Sequence, residues 1–132
     1  MIEKHEIYEG LVLRLEPDEL EANGGRSNAT TSTRVQGSHF FVCIAVGEQV
    51  GNWVPLFADP GRTRTPVPND EKSGHPNWCE SKTYFHDEQI WQAPHDAIVT
   101  ASISGGDLSS PGSRISLTEE GVDRVYNTTV SA

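Results

Sequence analysis

The chemistry open to this chain lies in five histidines, two cysteines and ten lysines or arginines. His39 opens an apolar run, and an unperturbed imidazole titrates at about pH 6.5, the range a general acid or base needs. Arg26, Arg34, Arg62 and Arg64 stand in the middle third of the chain. A guanidinium is a planar fork that takes phosphate or carboxylate through two bonds at once. Trp78 sits in a polar stretch beside Cys79. An exposed indole there would offer a platform for stacking a base or anchoring a partner, and folding back over the core is its competing role.

Other patterns carry less. His75, Cys79 and His86 form H-x3-C-x6-H, only a fragment of the paired ligand spacing that a tetrahedral zinc site needs. A metal-dependent enzyme therefore ranks last, with no metal site and no cofactor expected. His86-Asp87 and His95-Asp96 are adjacent pairs, and neighbours in a strand point to opposite faces, so neither makes a dyad by itself. The Gly-rich stretch Asn23–Asn28 lacks the Lys-Ser/Thr ending of a phosphate loop. No G-x-S-x-G nucleophile elbow is present.

Charge is uneven along the 132 residues. The net charge of −9 argues against a protein that coats nucleic acid non-specifically. Residues 1–21 carry a net −5, residues 22–69 a net +2, and residues 70–132 a net −6. The positive charge of the middle third is all arginine. It either solvates loops or forms an anion-recognition face.

Length and a 35% apolar fraction place the chain as one domain, residues 1–132, with one core. Plentiful Gly, Pro, Ser, Thr and Asn favour a mainly-β or loop-rich fold. The elements that must position the candidate residues centre on Gly37–Gly61. There His39–Val46 and Asn52–Phe57 flank the polar turn Gly47–Gly51 as a β-hairpin. Glu6–Leu15 reads as a first strand, and Thr83–Phe85, Gln89–Trp91 and Ala97–Ile103 as further ones. Pro17–Glu21 is worth at most one helical turn. Ala22–Gln36 and Asp59–Lys82 read as two long loops, a length that compact domains reserve for function or mobility. They flank the hairpin's outer ends, which places them on the same side of the barrel, with Arg34 and Arg62 facing a common cleft that has His39 at its floor. Ser116-Leu117-Thr118-Glu119 reads as a capping box for a short terminal helix reaching Asn127. Cys43 reads as a buried small hydrophobe, and both cysteines as reduced. No apolar run approaches the roughly 20 residues a membrane span requires. The acidic N-terminus lacks a hydrophobic signal core, so a cytoplasmic location is expected.

A first strand with Gly10-Leu11-Val12, a long Gly-containing loop, a strand FFVCIAV and one ending in V-P-L together resemble the PemK/MazF toxin family. The resemblance covers about Gly10 to Leu56, and the terminal helix in position only. It implies a small SH3-like β-barrel with a short C-terminal helix. It also implies a metal-independent endoribonuclease of a toxin–antitoxin pair, acting as a homodimer. The chain departs from the pattern at two places. His39-Phe40 stands where the family has Arg-Pro, and Phe57 follows Pro55-Leu56 where the family has Thr or Ser.

Two functions follow as expectations. In the first, RNA is the substrate. His39 acts as general acid or base, Arg34 or Arg62 stabilises charge, and Arg26, Arg62, Arg64 and Trp78 contact the substrate. An antitoxin would be its protein partner. In the second, the same face of a non-catalytic small-barrel or inhibitor protein, phage- or plasmid-borne, holds a protein or an anionic ligand.

Overall fold

The computed structural model describes residues 2–30, 32–107 and 109–130. Among these described residues nine antiparallel strands join in one sheet: β1 (Leu11–Leu15), β2 (Arg26–Ser27), β3 (His39–Val46), β4 (Val50–Phe57), β5 (Arg64–Pro66), β6 (Lys72–Ser73), β7 (Tyr84–His86), β8 (Trp91–Pro94) and β9 (Ile115–Leu117). Four helices accompany them: α1 (Pro17–Ala22), α2 (Pro76–Glu80), α3 (His95–Ser104) and α4 (Glu119–Thr129). The fold is mainly β with a short C-terminal helix, as the composition and turn pattern predict.

The hairpin is its centre. Val42 faces Val54 and Cys43 faces Trp53 across the β3–β4 ladder. β1 flanks β3 on the other side, with Val12 opposite Val42. Within the run FFVCIAV, Phe41–Ile44 are covered on both faces of the strand, while Phe40 and Val46 at its ends are exposed. Phe41 and Cys43 join a core with Leu11, Leu13, Leu15, Trp53 and Trp91. Val42 and Ile44 point the other way, to Val54, Leu56, Trp78 and Phe85. α3 closes the first face with Ala97, Ile98 and Ala101, and α4 closes the second with Val122 and Val125. Fully burying a Val, Leu, Ile or Phe side chain stabilises by about 1.5–3 kcal/mol. The doubly covered hairpin therefore contributes a large share of the buried apolar surface on both faces of the sheet.

β4 splits its pairing, and this opens the site. Its first half, Val50–Trp53, pairs with β8. Its end, Leu56–Phe57, pairs instead with β7, which also carries β5.

Three expectations are corrected. Ala97–Ile103 is not a strand but most of α3. The alternation of Ile98 and Thr100 imitates a strand. In the fold Ala97, Ile98 and Ala101 form one buried helical face against the core, and the small alanines permit close approach. The terminal helix is capped by Thr118, whose side chain accepts from the Gly121 amide, while Ser116 belongs to β9. Finally, the two long loops are not without structure. The first holds β2, and the second holds β5, β6 and α2, whose Pro76 stands at its first position.

Candidate functional site

Residues of both long loops line one cleft of about 1200 Å³, together with the ends of β3 and β4. His39 stands first in β3, half-buried, with its Nδ1 3.3 Å from the Leu56 carbonyl oxygen. A carbonyl only accepts, so Nδ1 carries the proton and Nε2 keeps a free lone pair. Burial lowers the His39 pKa from its ordinary 6.5. The Leu56 bond opposes this and the charge of Arg64 reinforces it. The ring is thus neutral and basic at neutral pH.

Phe57, the last residue of β4, collects the other groups. Its ring lies 5.0 Å from that of His39 and 6.3 Å from that of His86, centroid to centroid. Arg64, opposite His86 in the β5–β7 ladder, lays its guanidinium over the Phe57 face. One Arg64 nitrogen donates to the Asp59 carbonyl at 3.0 Å. The remaining donors have no carboxylate partner among the described residues.

His86 is held differently. Its Nδ1 accepts the backbone N–H groups of Glu88 and Gln89, both at 3.0 Å. Its Nε2 lies 3.3 Å from the Thr63 hydroxyl oxygen. Burial lowers its pKa, against the opposing charges of Glu88 and Asp87.

The walls are tied by two buried polar groups, Gln89 and Lys72, and by the exposed Asn28. Gln89 accepts from the Val35 amide and the Trp91 indole and donates to the Thr33 carbonyl. Asn28 exchanges side-chain bonds with the Glu88 carbonyl and the Ile90 amide. On the other wall the Lys72 ammonium donates to Asn69, to the Trp78 and Ser81 carbonyls and to the Thr83 hydroxyl. Burial lowers the Lys72 pKa.

The residues expected from sequence are distributed as follows. His39, Arg34, Arg64 and Trp78 line the cleft, and Arg26 and Arg62 do not. Arg26 lies exposed on β2, opposite Gln92. Arg62 is exposed on the turn before Thr63. The Arg34 guanidinium is committed. It is bound to Glu21 at 2.5 Å, Asp18 at 2.6 Å and the Val35 carbonyl at 2.9 Å, and it sits over the Trp91 ring. Trp78 is only 8% exposed. Its indole N–H donates to the Ser116 carbonyl, and the Lys72 ammonium lies 4.8 Å from its ring centroid. It forms wall, not an open stacking platform.

Phe57, Thr63 and His86 belong to the site and were not among its expected residues. Their only linear signal is that His86-Asp87-Glu88 stands between short strand pieces; in the fold Arg64 begins β5 and His86 ends β7. His75, Cys79 and His86 do not converge. Among the described residues the group of three metal-ligating side chains lying close enough to share an ion is Glu3, His5 and Glu6. Its Glu6 is engaged by Arg114. Cys43 and Cys79 are free thiols, and burial pushes that of Cys43 up to about 12.

No family model matches the chain, and no curated protein or solved structure matches it either.

Proposed function

We propose that the cleft binds a phosphodiester of RNA and cuts it without a metal. The observation that carries this reading is the choice of cations in the cleft. Arg14, Arg64 and Lys82 line it, and none makes an ion pair among the described residues. Arg34 in the wall, and Lys4, Arg114 and Arg124 away from the cleft, are each matched to a carboxylate, whereas Arg26, Arg62 and Lys72 lie outside the cleft lining without an ion pair among the described residues. In a chain of net charge −9, the unmatched cations beside two neutral histidines make an anion site.

The chemistry follows from the side chains. His39 Nε2 takes the proton of the substrate 2′-hydroxyl. The 2′ oxygen attacks phosphorus, the bond from phosphorus to the 5′ oxygen breaks, and a 2′,3′-cyclic phosphate forms. The leaving 5′ oxygen recovers the proton from the His39 imidazolium. The Arg64 fork stabilises the extra negative charge on the phosphorane. Arg34 supports the wall. The resemblance to PemK/MazF toxins over Gly10–Leu56 supports the same reading, with an antitoxin-like protein and a second copy of the chain as its partners.

One observation favours the non-catalytic alternative. Phe40 is 39% exposed on the cleft rim, where a protein partner would bury it. A single experiment separates the two. Mixed-sequence RNA is incubated with the protein at low salt in chelator, and product ends are analysed. The expected result is cyclic phosphate ends, with the rate falling about 10²–10⁴-fold in His39→Ala, as loss of a general base does. Folded wild type that binds RNA without cutting it would leave the binding protein. Folded wild type that does neither would end the RNA reading.

A further inference from the structure

We propose that Thr63 is a ligand-contacting residue of this cleft, its hydroxyl oriented by His86 to donate a hydrogen bond to a bound phosphate oxygen. The inference rests on the phosphate-binding reading above and names a donor that reading lacks.

The orientation follows from proton bookkeeping. Two backbone N–H groups, of Glu88 and Gln89, point at His86 Nδ1, so that nitrogen must present its lone pair. The neutral ring then carries its proton on Nε2. That proton faces the Thr63 oxygen at 3.3 Å, which accepts it. The hydroxyl is left with its own proton to donate, and no protein acceptor among the described residues takes it. Thr63 is exposed and lines the cleft. Its backbone is pinned as well, because its carbonyl accepts the Asp87 amide at 2.7 Å.

The direction of this chain matters. A free threonine hydroxyl rotates and both donates and accepts, so it does not discriminate against a neutral acceptor-poor ligand. Here His86 fills an acceptor lone pair and biases the hydroxyl to donate. Arg64, next in the chain, brings its fork to the same cleft. A phosphate oxygen, which only accepts, fits this pair. Thr63 is thus the contacting group and His86 the positioning residue. A neutral imidazole suits the role, because a proton on Nδ1 would oppose both backbone donors.

The test uses the full chain and an RNA analogue carrying 2′-deoxy sugars, which binds and is not cut, alongside inorganic phosphate. Thr63→Val should weaken binding of the analogue by about ten- to a hundredfold, the loss expected for one hydrogen bond to a charged group. Thr63→Ser should restore it to near the wild-type value. His86→Phe should weaken binding in the Thr63 background and add nothing in Thr63→Val. In 15N spectra of wild type, the His86 ring should show its proton on Nε2. Adding phosphate should shift that signal and the Thr63 amide. If wild type binds the analogue and folded Thr63→Val binds it equally, the proposal fails while the RNA reading stands. If wild type ignores RNA, the RNA reading fails and phosphate decides. Shifts at Thr63 and His86 then keep the donor, and their absence overturns it.

Discussion

The guanidinium carbon of Arg64 lies 3.7 Å from the centroid of the Phe57 ring, over its face. Such stacking holds a cation by the ring quadrupole and leaves its N–H edge free to meet an anion. What makes room for it is a missing side chain. A Cβ on Gly61 would stand 2.9 Å from Arg64 Cδ and 3.1 Å from its Nε.

Gly61→Ala should therefore move Arg64 without harming the fold. Gly61 does not adopt a left-handed φ, so alanine fits its backbone. The substitution should leave stability unchanged or raise it by up to about 1 kcal/mol, because it restricts the unfolded chain. RNA affinity should fall several-fold, in the direction of Arg64→Ala but less far. Thermal melts and a binding titration on one preparation check both halves. Unchanged affinity would mean that the stacked Arg64 is not the anion group.

Arg34→Ala should act on stability before it acts on binding. Its side chain is 8% exposed and meets two carboxylates, of which Asp18 is 83% and Glu21 48% exposed. Removing one member of a buried pair costs about 3–5 kcal/mol, and exposed partners reduce that toward about 2 kcal/mol. Urea denaturation should show the midpoint falling at constant slope. Arg34→Ala as stable as wild type, with RNA affinity lost, would restore Arg34 to the substrate site.

Stability should decline as pH falls below about 6.5. His39 and His86 both have pKa values lowered by burial in the folded state. Below the ordinary value of 6.5 the unfolded chain then binds more protons than the folded one, so folding weakens as pH drops through the lowered values. Above 6.5 the two histidines add no slope. The charged groups facing them are Arg64 and Arg14 for His39, and Glu88, Asp87 and Arg64 for His86. Denaturation midpoints from pH 8 to pH 5 should show the decline, and His86→Phe should flatten part of it. A wild-type midpoint that rises on acidification would contradict the burial of both rings.

Much of the frame is legible in the residues. Apolar runs bounded by turn residues mark β3 and β4, because a strand covered on both faces needs apolar side chains at every position. Val122 and Val125 mark α4 by their spacing. α3 is hidden, since its β-branched residues suit a strand, and only packing against Leu11, Leu13 and Leu15 makes a helix the better solution. Lys72, Gln89 and Asn28 likewise gave no linear signal. The Asn28 bonds to Glu88 and Ile90 and the Gln89 bonds to Val35 and Thr33 join segments far apart in the chain, whereas Trp91 beside Gln89 and the partners of Lys72 are sequence neighbours brought into contact only by the fold.

Sequence alone determined that this protein has a mainly-β core, an acidic surface and arginines gathered in its middle third, with His39 at the start of a core strand. Those are properties of composition and local order, and they hold wherever the segments come to rest. Tertiary structure decided which arginines are paired with a carboxylate. Asp18 and Glu21 on α1 neutralise Arg34, while Phe57 and Gly61 hold Arg64 with its fork unmatched. It also decided where each imidazole keeps its proton, through the Leu56 carbonyl for His39 and the Glu88 and Gln89 amides for His86. Charge pairing and hydrogen bonding act over a few ångströms. The chain folds before it settles which groups stand that close.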